Sequence, residues 1–104
     1  MVPAVTLAEV LGTSDVPGGV VNVLTGTTAE IAPWLASHMD VNAIDLTGIA
    51  GDLVQERALE VQAAENLKRV MRAPDTEPDW TAEPRLDRLT LFLETKTVWH
   101  PVGI

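Results

Sequence analysis

Val20-Val21-Asn22-Val23-Leu24-Thr25-Gly26 is a short, β-branched, nearly continuous apolar run closed by a threonine and a glycine. Such a run suits a strand covered on both faces, as in a parallel sheet. Upstream, Ala4, Leu7, Ala8 and Leu11 recur at helical spacing and give one narrow apolar stripe. Pro3 suits a first helical turn and Gly12 a C-terminal cap, while Ser14 to Gly19 has the residue types of a turn. Downstream, Thr27 and Glu30 stand in capping-box spacing at the start of a second helix. Its apolar face is read as Ile31, Trp34, Leu35 and His38, and Pro33 predicts a kink or a late start. Val41 to Leu46 reads as the next strand, ended by Thr47-Gly48. Asp52 and Gln55 form another capping pair, opening a helix to about Glu65 with Val54, Ala58 and Val61 facing inward. Asn66 to Met71 reads as a third strand. Helix and strand alternating through short polar turns predict parallel βα units with right-handed crossovers.

The rest of the chain differs in kind. Pro74, Pro78 and Pro84 interrupt an acidic stretch holding Asp75, Glu77, Asp79 and Glu83, which reads as a solvated linker over residues 73–85. Trp80 within it is expected to dock on the domain, because a free tryptophan leaves a large apolar area in water. Leu86, Leu89, Phe92 and Leu93 mark a last amphipathic helix, and Thr95-Lys96-Thr97-Val98-Trp99 alternates like an edge strand. The expected fold is therefore α/β: a small parallel sheet of about three strands flanked by helices, then a C-terminal helix and edge strand. The expected organisation is residues 1–72, a linker at 73–85, and a C-terminal part at 86–104.

With 104 residues and 11.2 kDa the chain is one small domain with a thin margin of stability. It has no cysteine, so disulfides, thiolate metal sites and a cysteine nucleophile are all excluded. Its net charge of −8 argues against nucleic acid and anionic membrane surfaces as partners. No apolar run reaches the roughly 20 residues of a membrane span, and the start lacks a basic leader, so the cytoplasm is the expected compartment. His38 and His100 are isolated in sequence, without the spacing of metal ligands, and read as a helix-end residue and a tail residue. Ser14 and Ser37 lack a nucleophile-elbow context, and the acidic linker lacks the order of a calcium loop.

Four strings resemble the aldehyde dehydrogenase superfamily. Val16-Pro17-Gly18-Gly19-Val20-Val21-Asn22-Val23-Leu24-Thr25-Gly26 is similar to its "(L/F)PxGVVNVVxG" segment, and Ala36-Ser37-His38-Met39-Asp40-Val41 to its "ASHxDV" helix end. Ile44-Asp45-Leu46-Thr47-Gly48 is similar to its "IxFTG" strand, and Asn66-Leu67-Lys68-Arg69-Val70 to the "NLKRV" that precedes its catalytic glutamate. They occur in the family's order and cover residues 3–71. The resemblance implies a Rossmann-like cofactor domain in which Gly26, Thr47 and Gly48 line a cleft for NAD or NADP. The same three residues also serve as ordinary turn chemistry at strand ends. By the same resemblance, the helix start near Ile49 to Asp52 would point its amides at a pyrophosphate.

The departures bear on activity. Ile49 replaces the family's serine, and Asp52 puts a negative charge at the helix start that should receive an anion, so cofactor binding is expected to be weak or lost. The position of the family's general-base glutamate holds Ala73, and the nucleophilic cysteine has no counterpart. No catalytic residue and no metal ligand is therefore assigned. Glu94 to Trp99 is similar to the family's "YTxxKTVW" tail, which implies subunit assembly. The resemblance thus implies cofactor-domain βα units joined to a terminal tail, with the catalytic domain missing. Family activity would be NAD(P)-dependent oxidation of aldehydes, but this chain is expected to be inactive alone. Two other readings stand beside it. One is an assembly module pairing with itself or with a full-length homologue, and the other is one piece of a split oxidoreductase.

Overall fold

A computed structural model describes residues 2–101; the last three residues of the expected tail, 102–104, lie outside the described residues. The element order is α1 (Val2–Gly12), α2 (Thr28–Ser37), β1 (Ala43–Asp45), a 3₁₀ turn (Thr47–Ile49), α3 (Leu53–Ala64), β2 (Arg69–Met71) and α4 (Leu86–Thr90). The fold is α/β, built on a two-stranded parallel sheet in which Ala43, Ile44 and Asp45 pair with Arg69, Val70 and Met71. Alternation along the strands turns Ile44 and Val70 to one face, where they pack against the core. That core is Ala36, Leu46, Ile49 and Leu59. Leu59 is its largest fully buried side chain.

Among the described residues the sheet has two strands rather than about three. Val20 to Leu24 forms no strand, and its bonds are local: the Val20 N–H donates to the Pro17 carbonyl and Asn22 Nδ2 to the Gly19 carbonyl. Strand preference expresses packing against neighbours on a pleated surface, and Val20 and Leu24 remain about two-thirds exposed, at 65% and 66%. The strand after α3 is also shorter than expected. Leu67 adopts a left-handed backbone (φ 57°), which breaks the extended run, so pairing starts only at Arg69. Thr95 to Trp99 likewise forms no strand, and Trp99 stands in solvent. An edge strand needs an edge, and no backbone ladder joins this segment to β1 or β2.

The helices lie where the periodicity places them, but their buried faces differ. In α2 the buried residue is Ala36, with Ala32 beside it, while Trp34 faces water. In α3 the buried residues are Glu56, Leu59 and Ala63, not Val54, Ala58 and Val61. α2 and α3 pack on each other, and alanines on both let the backbones approach closely where larger side chains would hold them apart. Pro33 is accommodated inside α2 at the cost of the one bond its nitrogen cannot donate. Of the two expected caps, Asp52 forms its bond, accepting from the Gln55 N–H at 3.0 Å, and Thr27 makes none with its side chain. α1 buries no residue, with only Ala4 and Leu11 of its stripe half-buried.

A polar clamp completes the body. Asn66 Nδ2 donates to the carbonyls of Met39 (2.8 Å) and Val41 (3.3 Å), and the buried Lys68 Nζ donates to the His38 carbonyl (2.6 Å). The lead-in to β2 is thereby tied to the end of α2 and the approach to β1. A third link, from the Ala73 N–H to Glu56 Oε1 at 3.1 Å, ties the exit of β2 to α3.

Candidate functional site

Ligands of open parallel sheets bind outside the carboxyl ends of the strands. Here that place is Asp45 and the turn after it. Asp45 Oδ1 accepts the Thr47 N–H at 2.8 Å, and this side-chain turn folds the chain into the 3₁₀ segment. The Ile49 N–H donates back to the Leu46 carbonyl at 3.0 Å, and Ile49 is thereby buried in the core. Ile49 is therefore a packing residue.

The three expected cofactor residues come together around this end of β1, in two adjoining concavities. Gly26 and Gly48 line one of about 260 Å³, walled by Ile31, Leu35 and Ile44. Thr47 and Gly48 line the other, of about 590 Å³, with Asp45, Glu77, Trp80 and Arg88. A Cβ added at Gly48 would meet nothing within 4 Å, whereas one at Gly26 would stand 2.7 Å from Ile31 Cδ1. Gly26 thus permits a close approach of its own neighbour, and Gly48 leaves the crevice open.

The start of α3 does not offer a free anion site. The Asp52 carboxylate already accepts from the Gln55 amide, filling with a fixed negative charge the position where a pyrophosphate would be held. Gly48 leaves backbone open at the strand end, while the helix start already carries its own carboxylate.

Arg88 holds the mouth of the larger concavity. Its Nη2 donates to Asp45 Oδ2 at 3.2 Å and to Thr47 Oγ1 at 3.5 Å, and its guanidinium lies 5.1 Å from the centroid of the Trp80 ring. Trp80 Nε1 donates to Glu77 Oε1 at 3.1 Å. Trp80 remains 62% exposed, so it docks through the guanidinium rather than by burial. Nothing in the sequence marks the Arg88–Asp45 pair, whose members are 43 residues apart. Glu56 was also not singled out from the sequence. It is a buried carboxylate that accepts from the amide of Ala73 at the exit of β2.

The other polar candidates have local partners. Ser14 Oγ donates to the Leu11 carbonyl and Ser37 Oγ to the Pro33 carbonyl, both at 2.8 Å. His38 caps the end of α2, and its Nδ1 accepts the Asp40 N–H at 3.2 Å. His100 is exposed in the tail. Among the described residues, no group of three or more His, Asp or Glu side chains gathers as a metal site would need, and no helix is long and apolar enough to cross a membrane.

The sequence matches the aldehyde dehydrogenase family over residues 1–73, from the start of the chain to the exit of β2. This chain belongs to the aldehyde dehydrogenase family. The 1-pyrroline-5-carboxylate dehydrogenase of Oceanobacillus iheyensis is 38% identical over 71 residues, covering 65% of this chain and 14% of that protein. That of Staphylococcus aureus shows the same figures. The 3-sulfolactaldehyde dehydrogenase of Priestia megaterium is 40% identical over 57 residues, 53% of this chain and 12% of that protein. The chain thus spans about one-seventh, or 14%, of the length of the first of these relatives. No solved structure matches it. Asp45, Thr47 and Gly48, the floor of the crevice, lie inside the region matched to the aldehyde dehydrogenase family, while Glu77, Trp80 and Arg88 lie beyond it.

Proposed function

We propose that this chain is a non-catalytic aldehyde dehydrogenase-family protein that keeps part of the family's cofactor crevice and binds NAD or NADP weakly or not at all. Its activity alone would need a thiolate to attack the aldehyde and a carboxylate to activate water. The chain carries no cysteine, and Ala73 stands at the base position. The observation that carries the reading is at the start of α3, where the Asp52 carboxylate occupies the anion position. Gly26, Thr47 and Gly48 are the residues that would line any remaining nucleotide site. The compartment proposed is the cytoplasm. The test is calorimetric titration of the purified chain with NAD and NADP, alongside an assay for aldehyde-dependent NADH formation. The expected results are no turnover and no saturation at micromolar nucleotide; measurable turnover, or micromolar saturation, refutes the reading.

A second reading, assembly with another copy or a full-length homologue, is favoured by exposed area. The accessible surface is 8845 Å², against about 5,700 Å² for a compact monomer of this mass. The radius of gyration is 17.1 Å, against about 13 Å. Mass measurement by light scattering in the same samples separates the two: a monomer at micromolar concentration removes self-assembly.

A further inference from the structure

The smaller concavity at the carboxyl end of β1, about 260 Å³, differs in chemistry from its larger neighbour. Its floor is the core itself: Leu46, Ile49 and Leu59 are exposed by only 3%, 8% and 1%. Ile31 and Leu35 of α2 and Leu24 of the unpaired run also line it. The rim is anchored. The Glu30 and Ile31 N–H groups both donate to the Thr27 carbonyl, at 3.0 and 3.1 Å, and Gly26 lies close against the Ile31 side chain. Among the described residues, Asp45 is the one charged residue in the lining, and both its oxygens are engaged. Oδ1 accepts the Thr47 N–H at 2.8 Å, and Oδ2 accepts from Arg88 at 3.2 Å. Thr28 supplies the one side-chain hydroxyl.

Water in such a depression finds few partners, and an apolar group that displaces poorly ordered water gains affinity. An anion finds no cation in this lining, and taking a charge out of water without a partner is costly. A nucleobase is disfavoured as well, because its ring nitrogens and amino groups would leave water for side chains that offer one hydroxyl. A dry cavity of about 150 Å³ lined by aliphatic and aromatic side chains takes benzene, so this concavity has room for one or two fused rings. We propose that it binds a small, uncharged, apolar molecule of that size. The assignment rests on the reading that this crevice no longer serves a dinucleotide, and it names what the apolar part takes instead.

The test is an amide NMR titration of the purified chain with indole, with adenosine and indole-3-acetate as comparisons. Indole should saturate with a Kd of about 1 mM or below, as befits so small a ligand, and shift the amides of Gly26, Ile31, Leu35, Ile44 and Gly48. Both comparison ligands should bind at least about tenfold more weakly. Gly48→Leu places a side chain where a Cβ has open space and should weaken indole about tenfold. Leu24→Ser changes an exposed side chain of the lining and should weaken it about threefold, while Val61→Ser, on an exposed face of α3, should leave it unchanged. Far-ultraviolet circular dichroism checks that each variant stays folded. Absence of saturation at about ten times the expected Kd overturns the site. So do shifts spread evenly over the exposed apolar residues, or binding equal in Gly48→Leu, Leu24→Ser and the parent. Adenosine or indole-3-acetate binding as tightly as indole overturns the ligand class. NAD titration of the same sample keeps the two readings apart. Binding of neither indole nor NAD removes this site and leaves the non-catalytic reading standing, and indole binding beside micromolar NAD binding does the reverse.

Discussion

Residues 2–26 and residues 28–73 both lie within the family match, and both are rich in apolar side chains, yet only the second stretch has a core. Among the described residues every buried hydrophobic one, Ala36, Leu46, Ile49, Leu59 and Ala63, belongs to the second. In the first, α1 buries nothing, and Val20, Val21, Val23 and Leu24 are exposed. The difference lies in what each stretch is placed against. α2 and α3 cover one face of a paired sheet, and the Asn66–Lys68 clamp closes the far end, so apolar atoms meet apolar atoms on several sides. Residues 2–26 share a concavity between the end of α1 and residues 16–24, and their large apolar side chains stay mostly in solvent. Apolar content becomes stability only where the topology brings an opposing surface.

The contrast can be broken by substitution. Leu59→Ala removes the largest fully buried side chain and should cost about 2–4 kcal/mol in urea denaturation, enough to unfold much of so small a domain. A loss under about 1 kcal/mol would mean that residues 28–73 are not the stabilising body. Asn66→Ala leaves the Met39 and Val41 carbonyls without that donor and should cost about 1–2 kcal/mol by the same measurement. Val20→Ser replaces an exposed residue and should change stability by less than about 0.5 kcal/mol while improving solubility. A cost matching that of Leu59→Ala would show that the amino-terminal stretch has a packed partner after all.

The smallest expected effect is with acid. Glu60 is held below the usual carboxylate range by its hydrogen bonds from Arg72, and Asp79 by Thr81, and Asp87 by Arg85. Groups depressed in the folded state contribute above their unfolded values and lose that contribution as pH falls through the folded ones. Stability followed by circular dichroism should therefore be flat between about pH 6 and 8 and decline only below about pH 4. A stability change near neutrality would point to groups other than these three.

Much of the local structure was legible. The Asp52–Gln55 spacing announced a cap that forms, Gly12 ends α1, and the apolar runs at Val41–Leu46 and Asn66–Met71 contain β1 and β2. The faces of α2 and α3 were not legible. Periodicity there pointed to Trp34 and Val54, whereas Ala36 and Leu59 are the residues buried, and the choice depends on how closely two helices approach. The site was legible in part. Thr47 and Gly48 follow a strand, a local pattern, whereas Asp45 meets Arg88 across 43 residues, a distance over which no spacing rule operates.

Sequence alone therefore determined which residues turn, cap and extend, the net charge, and the lack of a thiol, because these depend on residue type and near neighbours. It also carried the family, through strings long enough to be specific. Tertiary structure alone decided that Val20–Leu24 stays unpaired, that Ile49 packs in the core, and that Arg88 reaches Thr47. Each of these depends on which surface arrives opposite, and burial and pairing energies exist only between surfaces in contact.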